Sequence, residues 1–192
     1  DIDRRYVVPS APGKRFSGDT KVTDMLYTCY AAAEQDEDFS DKLAKIQARY
    51  NEIINGLGLT LSLDTQFEEI ASKIAAKDGK EYAASRGEYL NGIIMANYLG
   101  YEFIDAAEVI RFNHDGSFNA AVTNKIMTKR LEKVERAVIP GFFGAEEDGT
   151  IRTFSRGGSD ITGSIGARAV NANLYENWTD VSGCMIADPR II

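Results

Sequence analysis

The sequence predicts an α/β fold in which helices cover a mainly parallel central sheet. Two observations support this class. Short apolar segments with strand character alternate with helical segments along much of the 192-residue chain, and residues of about 20–100 show helical periods alone. In parallel sheets, ligands bind beyond the carboxyl ends of the strands. The polar loops that follow the predicted strands are therefore the candidate ligand-binding segments.

Composition narrows the class of protein. A length of 192 residues with 44% hydrophobic residues fits one globular domain with a substantial core. The net charge of -7 argues against a general nucleic-acid binder. No apolar run approaches the ~20 residues that cross a bilayer, and no signal peptide is visible. Cys29 and Cys184 fit free thiols in a reducing compartment, so we predict a cytoplasmic protein that binds neither nucleic acid nor membranes.

The sequence shows no obvious catalytic base. The single histidine, His114, lies in the turn sequence Asn113–Gly116, where we expect a surface loop. No cluster of cysteine and histidine residues suggests zinc, and no metal ligands can be named. The chemistry must therefore come from another kind of site.

The first predicted strand, Arg5–Val8, is followed by the basic loop Pro9–Arg15. This loop lacks the glycine-x4-glycine-lysine-serine/threonine pattern of a standard P-loop. A phosphate-binding loop and an ordinary basic surface loop both fit the residues.

Three helical stripes come next, over residues 22–33, 39–57 and 63–74, and their apolar positions predict core packing. The segment Ser85–Glu88 then precedes a further helical stripe. Serine followed three residues later by glutamate is the capping-box pattern of a helix start. Gly87 costs a helix about 1 kcal/mol relative to alanine, which suggests close approach by another group. Ligand binding therefore remains an alternative for this segment.

The second half of the chain predicts shorter elements. In the helix at residues 119–134 we expect Val122, Ile126 and Leu131 to face inward and the basic side chains to face solvent. The other predicted elements are strands at Phe103–Asp105, Glu108–Ile110, Ala137–Phe142, Thr150–Phe154 and Leu174–Trp178, and a hairpin turn at Glu146–Gly149.

The stretch Phe154–Ala169 suggests an anion site. Paired glycines at 157 and 158 let the backbone approach a ligand, and Ser159 with Asp160 opens a helix. A helix start attracts anions, and Arg156 adds a fixed positive charge. A glycine turn with an ordinary N-cap fits this stretch equally well. Four polar loops follow predicted strands and should meet along one sheet edge: Pro9–Arg15, Gly141–Gly144, Ser155–Asp160 and Thr179–Gly183.

Taken together, these segments resemble the aspartokinases, members of the amino-acid kinase superfamily. The runs Arg156–Asp160, Trp178–Gly183 and Ala187–Arg190 are the specific part of the resemblance, which covers essentially the whole chain. The remaining matching segments are Val7–Ala11, Ser85–Glu88 and Gly141–Phe142.

The resemblance implies an αβα sandwich of the carbamate kinase-like type. Residues 1–192 would form an amino-acid kinase domain, with a helical excursion at about 20–100 and a nucleotide-side portion at about 150–192. The implied reaction transfers the γ-phosphoryl group of ATP, with Mg²⁺, to the side-chain carboxylate of L-aspartate, the first step of lysine, threonine and methionine biosynthesis.

The resemblance also implies roles for individual residues. Glu88 would hold the substrate ammonium group, Arg156 would hold the α-carboxylate, and Asp160 would organise the catalytic centre. The other implied substrate contacts are Ser10, Thr23 and Ser159, and the implied nucleotide contacts are Thr179, Asp180 and Arg190.

The sequence departs from the family pattern in three respects. It lacks the lysine-phenylalanine-glycine-glycine run of the first strand, a second functional lysine and the regulatory ACT domains. We therefore expect a kinase-domain portion that is incomplete at both ends and inactive by itself, from a protein that forms homo-oligomers. Met185 replaces a tyrosine that many members place near the adenine. Another amino-acid kinase and a non-catalytic ligand-binding module remain alternatives.

Overall fold

Three short strands form a parallel sheet, as the sequence predicted. The structure, a computed structural model, describes residues 3–155 and 157–178. The strands are β1 (Tyr6–Val7), β2 (Glu102–Phe103) and β3 (Ala137–Val138), in the spatial order β1–β3–β2. Both outer strands pair in parallel with β3, so the carboxyl ends of all three strands lie at one edge. Strands β4 (Phe143–Ala145) and β5 (Ile151–Thr153) form an antiparallel hairpin, which confirms the predicted turn between them.

Seven helices occupy the described residues. Within residues 20–100 of the described chain there is no strand, in agreement with the helical periods. The helices are α1 (Val22–Glu34), α2 (Ser40–Gly56), α3 (Asp64–Ala75), α4 (Lys80–Leu99), α5 (Ala106–Val109), α6 (Ala120–Leu131) and α7 (Gly158–Ala169). None of these helices has the length and apolar character that crossing a membrane requires.

Helix α4 separates two hydrophobic cores. One core lies among α1 to α4, and the other lies between the sheet and helices α5 to α7. Tyr89 of α4 packs against both. Every residue from Tyr82 to Glu88 is buried, so α4 is enclosed on all sides and has no polar face at this level. Because α4 is enclosed, its polar residues Ser85, Arg86 and Glu88 are buried inside the protein.

Four expectations about local structure were wrong. Ser85 does not cap a helix, because α4 begins five residues earlier, at Lys80. The predicted strand Glu108–Ile110 falls largely within helix α5, which starts because the Asp105 carboxylate accepts a hydrogen bond from the Ala107 N–H.

The other two errors concern exposed apolar residues. Val122 lies on the outer face of α6 with 41% of its surface exposed, because the face that packs inward carries Thr123, Met127 and Leu131. Leu174–Trp178 forms no strand, and its apolar side chains are largely exposed. β-Propensity alone could not supply a pairing partner for this segment.

Candidate active site

Three of the four predicted loops meet at the carboxyl edge of the parallel sheet. The Gly141 N–H donates a hydrogen bond to the Pro9 carbonyl at 3.0 Å, which joins the loops after β1 and β3. A Cβ atom on Gly141 would lie 2.7 Å from the Cα of Ser159. The loop after β3 is therefore in backbone contact with the first turn of α7. The fourth loop, Thr179–Gly183, lies outside the described residues.

A second close contact locks the start of α7. A Cβ atom on Gly158 would lie 2.8 Å from the Cα of Phe142. The Phe142 N–H also donates to the Thr162 hydroxyl at 3.2 Å, and Phe142 adopts a left-handed φ of 79°. A non-glycine residue held in this region stores backbone strain. The two reciprocal glycine contacts thus fix where the helix begins relative to the sheet.

The start of α7 is suited to an anion. Gly157 is the N-cap residue, with φ 58°, and as a glycine it has no side chain to cap the first turn. The N–H groups of the first turn and the helix dipole make this turn electropositive. Asp160 lies in the same turn, where its exposed carboxylate accepts a hydrogen bond from the Asn177 side chain at 3.2 Å. Arg156, which precedes this turn, lies outside the described residues.

Asp160 also borders a cavity of roughly 380 Å³. Helices α6 and α7 form its walls, and Arg168 supplies a positive charge there. Glu88 is not part of this cavity.

Glu88 is a buried carboxylate with an unused acceptor. Only 6% of its surface is exposed, and its Oε2 atom accepts no hydrogen bond from the described residues. Burial raises the pKa of Glu88 to about 7, although the N–H groups of Glu88 and Ala11 and the charge of Arg86 oppose the rise. A ligand cation that entered here would find a carboxylate that is already desolvated and has no ion-pair partner among the residues the structure describes.

Gly87 allows the loop after β1 to reach Glu88. A Cβ atom on Gly87 would lie 3.0 Å from the Cβ of Ala11. The Gly87 carbonyl also accepts a hydrogen bond from the hydroxyl of Tyr50, a fully buried residue of α2, at 2.7 Å. The close approach that the sequence suggested is thus confirmed, and the approaching group belongs to the chain itself.

Ser10 and Thr23 border the same region. The Ser10 carbonyl accepts a hydrogen bond from the Asn91 side chain, one turn beyond Glu88 on α4, at 2.6 Å. Thr23 is half-buried in the first turn of α1, next to Val22, which faces Gly87. The segments that carry Ser10, Thr23, Glu88 and Ser159 are therefore connected through contacts of neighbouring residues: Gly87 with Ala11 and Val22, and Gly141 with Pro9 and Ser159. The predicted nucleotide contacts Thr179, Asp180 and Arg190, and Met185, lie outside the described residues.

Sequence reasoning missed the buried ion pair that shapes the loop between Ser10 and Thr23. Arg49 of α2 donates to the carbonyls of Gly13 and Thr20 and pairs with Asp19 at 3.2 Å. Hydrogen bonds from Arg15 and the charge of Arg49 hold the pKa of Asp19 well below its usual range. The only signal in the sequence was a charged residue between two core positions, Ile46 and Tyr50, of an apolar stripe.

Among the described residues, one group of three side chains could in principle hold a metal ion: His114, Glu146 and Asp148. His114 is exposed, as predicted, and its Nδ1 atom lies 2.8 Å from the Glu146 carboxylate. Arg152 already pairs with Glu146 and lowers its pKa. A cation would have to compete with this guanidinium, so the group does not fit a divalent metal site well.

The fold and these loops define an α/β protein that presents an electropositive helix start and a buried carboxylate at one sheet edge. The sequence matches the amino acid kinase family over residues 6–192. The chain belongs to this family, and the predicted α/β kinase fold is confirmed.

The proteins to which the chain is similar include aspartate kinases of several bacteria. It is 33% identical to aspartokinase 3 of Bacillus subtilis, over 100% of this chain and 45% of that protein. The crystal structure of Clostridium acetobutylicum aspartate kinase is 49% identical, with a TM-score of 0.92, over 100% of this chain and 44% of that one.

Escherichia coli aspartokinase III in complex with aspartate and ADP is 26% identical, with a TM-score of 0.78, over 98% of this chain and 45% of that one. The chain therefore spans about half the length of the proteins it matches.

Proposed function

We propose that this chain is a catalytic-domain portion of an aspartate kinase, which transfers the γ-phosphoryl group of ATP to the side-chain carboxylate of L-aspartate. One observation of the structure supports this proposal most strongly: Glu88 is buried without a counter-ion among the described residues. A similarly folded structure, aspartokinase III of Escherichia coli, was solved with aspartate and ADP.

Glu88 would bind the ammonium group of the substrate, and Arg156 would bind the α-carboxylate. A free amino acid presents one fixed cation and one fixed anion, so this pair suits it well. Ser10, Thr23 and Ser159 would supply further polar contacts, because their loops border Glu88 or the start of α7. The desolvated position of Glu88 would make its ion pair with the substrate stronger than one at the surface.

The chemistry requires charge neutralisation and no general base. The attacking carboxylate is already ionised at neutral pH, and it must approach a phosphoryl group that also carries negative charge. Catalysis then depends on positioning and on fixed positive potential. The N–H groups in the first turn of α7 would supply such potential, and Asp160 in the same turn would organise the cationic groups around the transferred phosphoryl.

ATP would bind through Thr179, Asp180 and Arg190, which follow α7 in the sequence. Mg²⁺ prefers oxygen ligands and commonly binds through one or two carboxylates together with substrate phosphates. The exposed Asp160 carboxylate fits this preference, whereas Glu146 does not, because it is paired with Arg152. When bound with ATP, Mg²⁺ would neutralise part of the phosphate charge.

We further propose that residues 1–192 form the kinase-domain portion of a cytoplasmic protein that assembles as homo-oligomers and acts in lysine biosynthesis. The match to the amino acid kinase family over residues 6–192 supports the domain assignment.

Calorimetric titration with L-aspartate tests the proposal. We expect one binding site at pH 8, and at least about tenfold weaker binding by Glu88→Gln, because the ammonium group loses its counter-ion. L-Glutamate should bind more weakly than L-aspartate. A preference for glutamate would favour another amino-acid kinase, and no binding of either amino acid would refute the proposal. Trapping of any acyl phosphate with hydroxylamine would then measure turnover.

A further inference from the structure

We propose that a cavity between α3, α4 and the β4–β5 hairpin is a second ligand site, which takes a free amino acid without an acidic side chain. Its volume is roughly 380 Å³, within the range of small-molecule pockets. Its walls come from α3, the first two turns of α4, the loop after β2 and the hairpin turn. None of the proposed substrate contacts that the structure describes lines this cavity, so the inference does not depend on the proposed function.

Arg86, which lines the cavity, is a buried cation without a counter-ion among the described residues. Only 5% of its surface is exposed. Its Nε and Nη2 atoms donate to the neutral Ser85 hydroxyl at 3.1 and 2.9 Å, and its Nη1 atom makes no hydrogen bond with the described residues. The rings of Tyr82, Tyr89 and Phe143 lie with their centroids 4.4–5.1 Å from its Cζ atom. They hold the guanidinium in place but supply no full negative charge, so Arg86 can bind the carboxylate of a ligand.

Tyr82 offers a second unused donor at the same cavity. Only 4% of its surface is exposed, and its hydroxyl makes no hydrogen bond with the described residues. A buried hydroxyl without a partner is unfavourable. Burial raises the pKa of Tyr82 to about 12, so the hydroxyl keeps its proton at neutral pH and can donate it to a hydrogen bond. A ligand carboxylate beside Arg86 would give this donor an acceptor.

Asp105 supplies the opposite charge. It lines the same cavity, is partly buried and forms no ion pair with the described residues. Its Oδ1 atom accepts from the Ala107 N–H at 2.9 Å. Burial raises the pKa of Asp105, although that N–H group and the charge of Arg86 oppose the rise. Arg86 and Asp105 therefore influence each other without pairing. An α-amino acid carries a carboxylate and an ammonium group on one carbon, so it would satisfy both.

The other charged residues of the cavity select against acidic side chains. Lys73 pairs with Asp78 at 3.4 Å, so these two charges largely cancel. Glu69 and Asp148 also line the cavity, are exposed and form no ion pair with the described residues. Their negative charges would repel a ligand with an acidic side chain. The site should therefore reject aspartate and glutamate and accept an amino acid whose side chain is not negatively charged.

The test is an NMR titration of the Arg86 Nε–H signal with L-glutamine as the probe. The signal is assigned by its loss in Arg86→Met, or in Arg86→Lys if the first variant does not fold. We expect a saturable shift with a dissociation constant of about 1 mM or below. L-Glutamate, which differs only in its charged side chain, should bind at least about tenfold more weakly. N-Acetyl-L-glutamine, which lacks the ammonium group, should also bind at least about tenfold more weakly.

Asp105→Asn tests the ammonium contact. Asparagine can still cap α5, so the variant should fold, and we expect it to bind L-glutamine at least about tenfold more weakly. Asp115→Asn is the matched control. Asp115 likewise accepts from the N–H two residues further on, that of Ser117, at 2.9 Å, and it does not line the cavity. Its affinity for L-glutamine should equal that of the wild type.

Three results would overturn the inference. The first is an Arg86 signal that L-glutamine does not shift at about 10 mM. The second is equal affinity for L-glutamine and L-glutamate, and the third is equal affinity of Asp105→Asn and Asp115→Asn for L-glutamine. The same titration of Glu88→Gln separates the two sites. Unchanged affinity supports a separate site, whereas loss of the shift would show that Arg86 only reports binding at Glu88 and would also overturn the inference.

Discussion

Replacement of Glu88 by glutamine should stabilise the empty protein, and more so as the pH rises. The wild type buries a carboxylate that has no counter-ion among the described residues, and burial raises its pKa from the ordinary value of 4.5 to about 7. A glutamine amide has the same shape and cannot ionise. The variant therefore removes the penalty of burying a charge while it removes the proposed contact to the substrate.

The size of the effect follows from linkage. Between pH 4.5 and 7 the unfolded chain loses the Glu88 proton while the folded protein retains it, so the stability of the wild type falls as the pH rises. Well above pH 7, burial of the ionised Glu88 lowers the free energy of unfolding by about 3 kcal/mol, because each unit between the two pKa values contributes 1.36 kcal/mol. Between pH 5.5 and 8 the change amounts to about 2 kcal/mol.

Urea denaturation of both proteins at pH 5.5 and pH 8 measures this change. The difference in the free energy of unfolding between Glu88→Gln and the wild type cancels the contributions of other titrating groups. We expect this difference to be about 2 kcal/mol more in favour of the variant at pH 8 than at pH 5.5. Glu68→Gln, on the exposed face of α3, is the matched control. Its stability difference should stay within about 0.5 kcal/mol at both pH values.

A stability difference that is the same at pH 5.5 and pH 8 would refute this reasoning. It would show that Glu88 has an ordinary pKa in the folded protein and hence has a counter-ion or water around it. Glu88 could not then be an empty, desolvated binding site for an ammonium group.

Three further predictions concern the same region. L-Aspartate should bind about tenfold more tightly at pH 8 than at pH 6, with proton release, because the pKa of about 7 leaves Glu88 mostly protonated at pH 6. Calorimetry in two buffers of different ionisation enthalpy measures the affinity and the number of protons released. An affinity that does not change with pH would contradict the role of Glu88. Gly141→Ala should lose about 1–3 kcal/mol of stability, because its Cβ would overlap Ser159, whereas Gly13→Ala, which has open space around it, should lose little in the same urea titration. Tyr50→Phe should lose about 1 kcal/mol, the net value of its hydrogen bond to the Gly87 carbonyl; unchanged stability would show that this bond contributes nothing.

The class of fold was predictable because apolar periodicity is a local property. The helical stripes of residues 22–74 predicted α1 to α3 closely, and the alternation in the second half predicted a parallel sheet. Local patterns could not place the start of α4. The sequence Ser85–Glu88 matches a helix cap, and local pattern alone therefore favours a helix start there. The structure shows instead that these residues lie inside α4, at a level where the helix is buried between the two cores.

The candidate site was predictable only in part. Gly87 signalled a close approach, and the structure has one, with Ala11. The close contacts of Gly141 with Ser159 and of Gly158 with Phe142 were not predicted. The hydrogen bond from Arg49 to the Thr20 carbonyl spans 29 positions of the chain, and the hydrogen bonds that the Glu81 carboxylate accepts from Arg152 and Thr153 span 71 and 72. No periodicity or short motif encodes pairings of this kind, so they emerge only from the fold.

The most direct test of the account is the pKa of Glu88 with and without substrate. ¹³C NMR of the glutamate side-chain carboxyl groups, assigned by the signal lost in Glu88→Gln, follows this one group across the pH range. We expect a midpoint near 7 in the empty protein and a clear fall on saturation with L-aspartate, because the ammonium group stabilises the carboxylate. Succinate, which lacks an ammonium group, should leave the midpoint near 7. A midpoint near 4.5 in the empty protein, or one that L-aspartate does not lower, would contradict the assignment of Glu88 as the ammonium site.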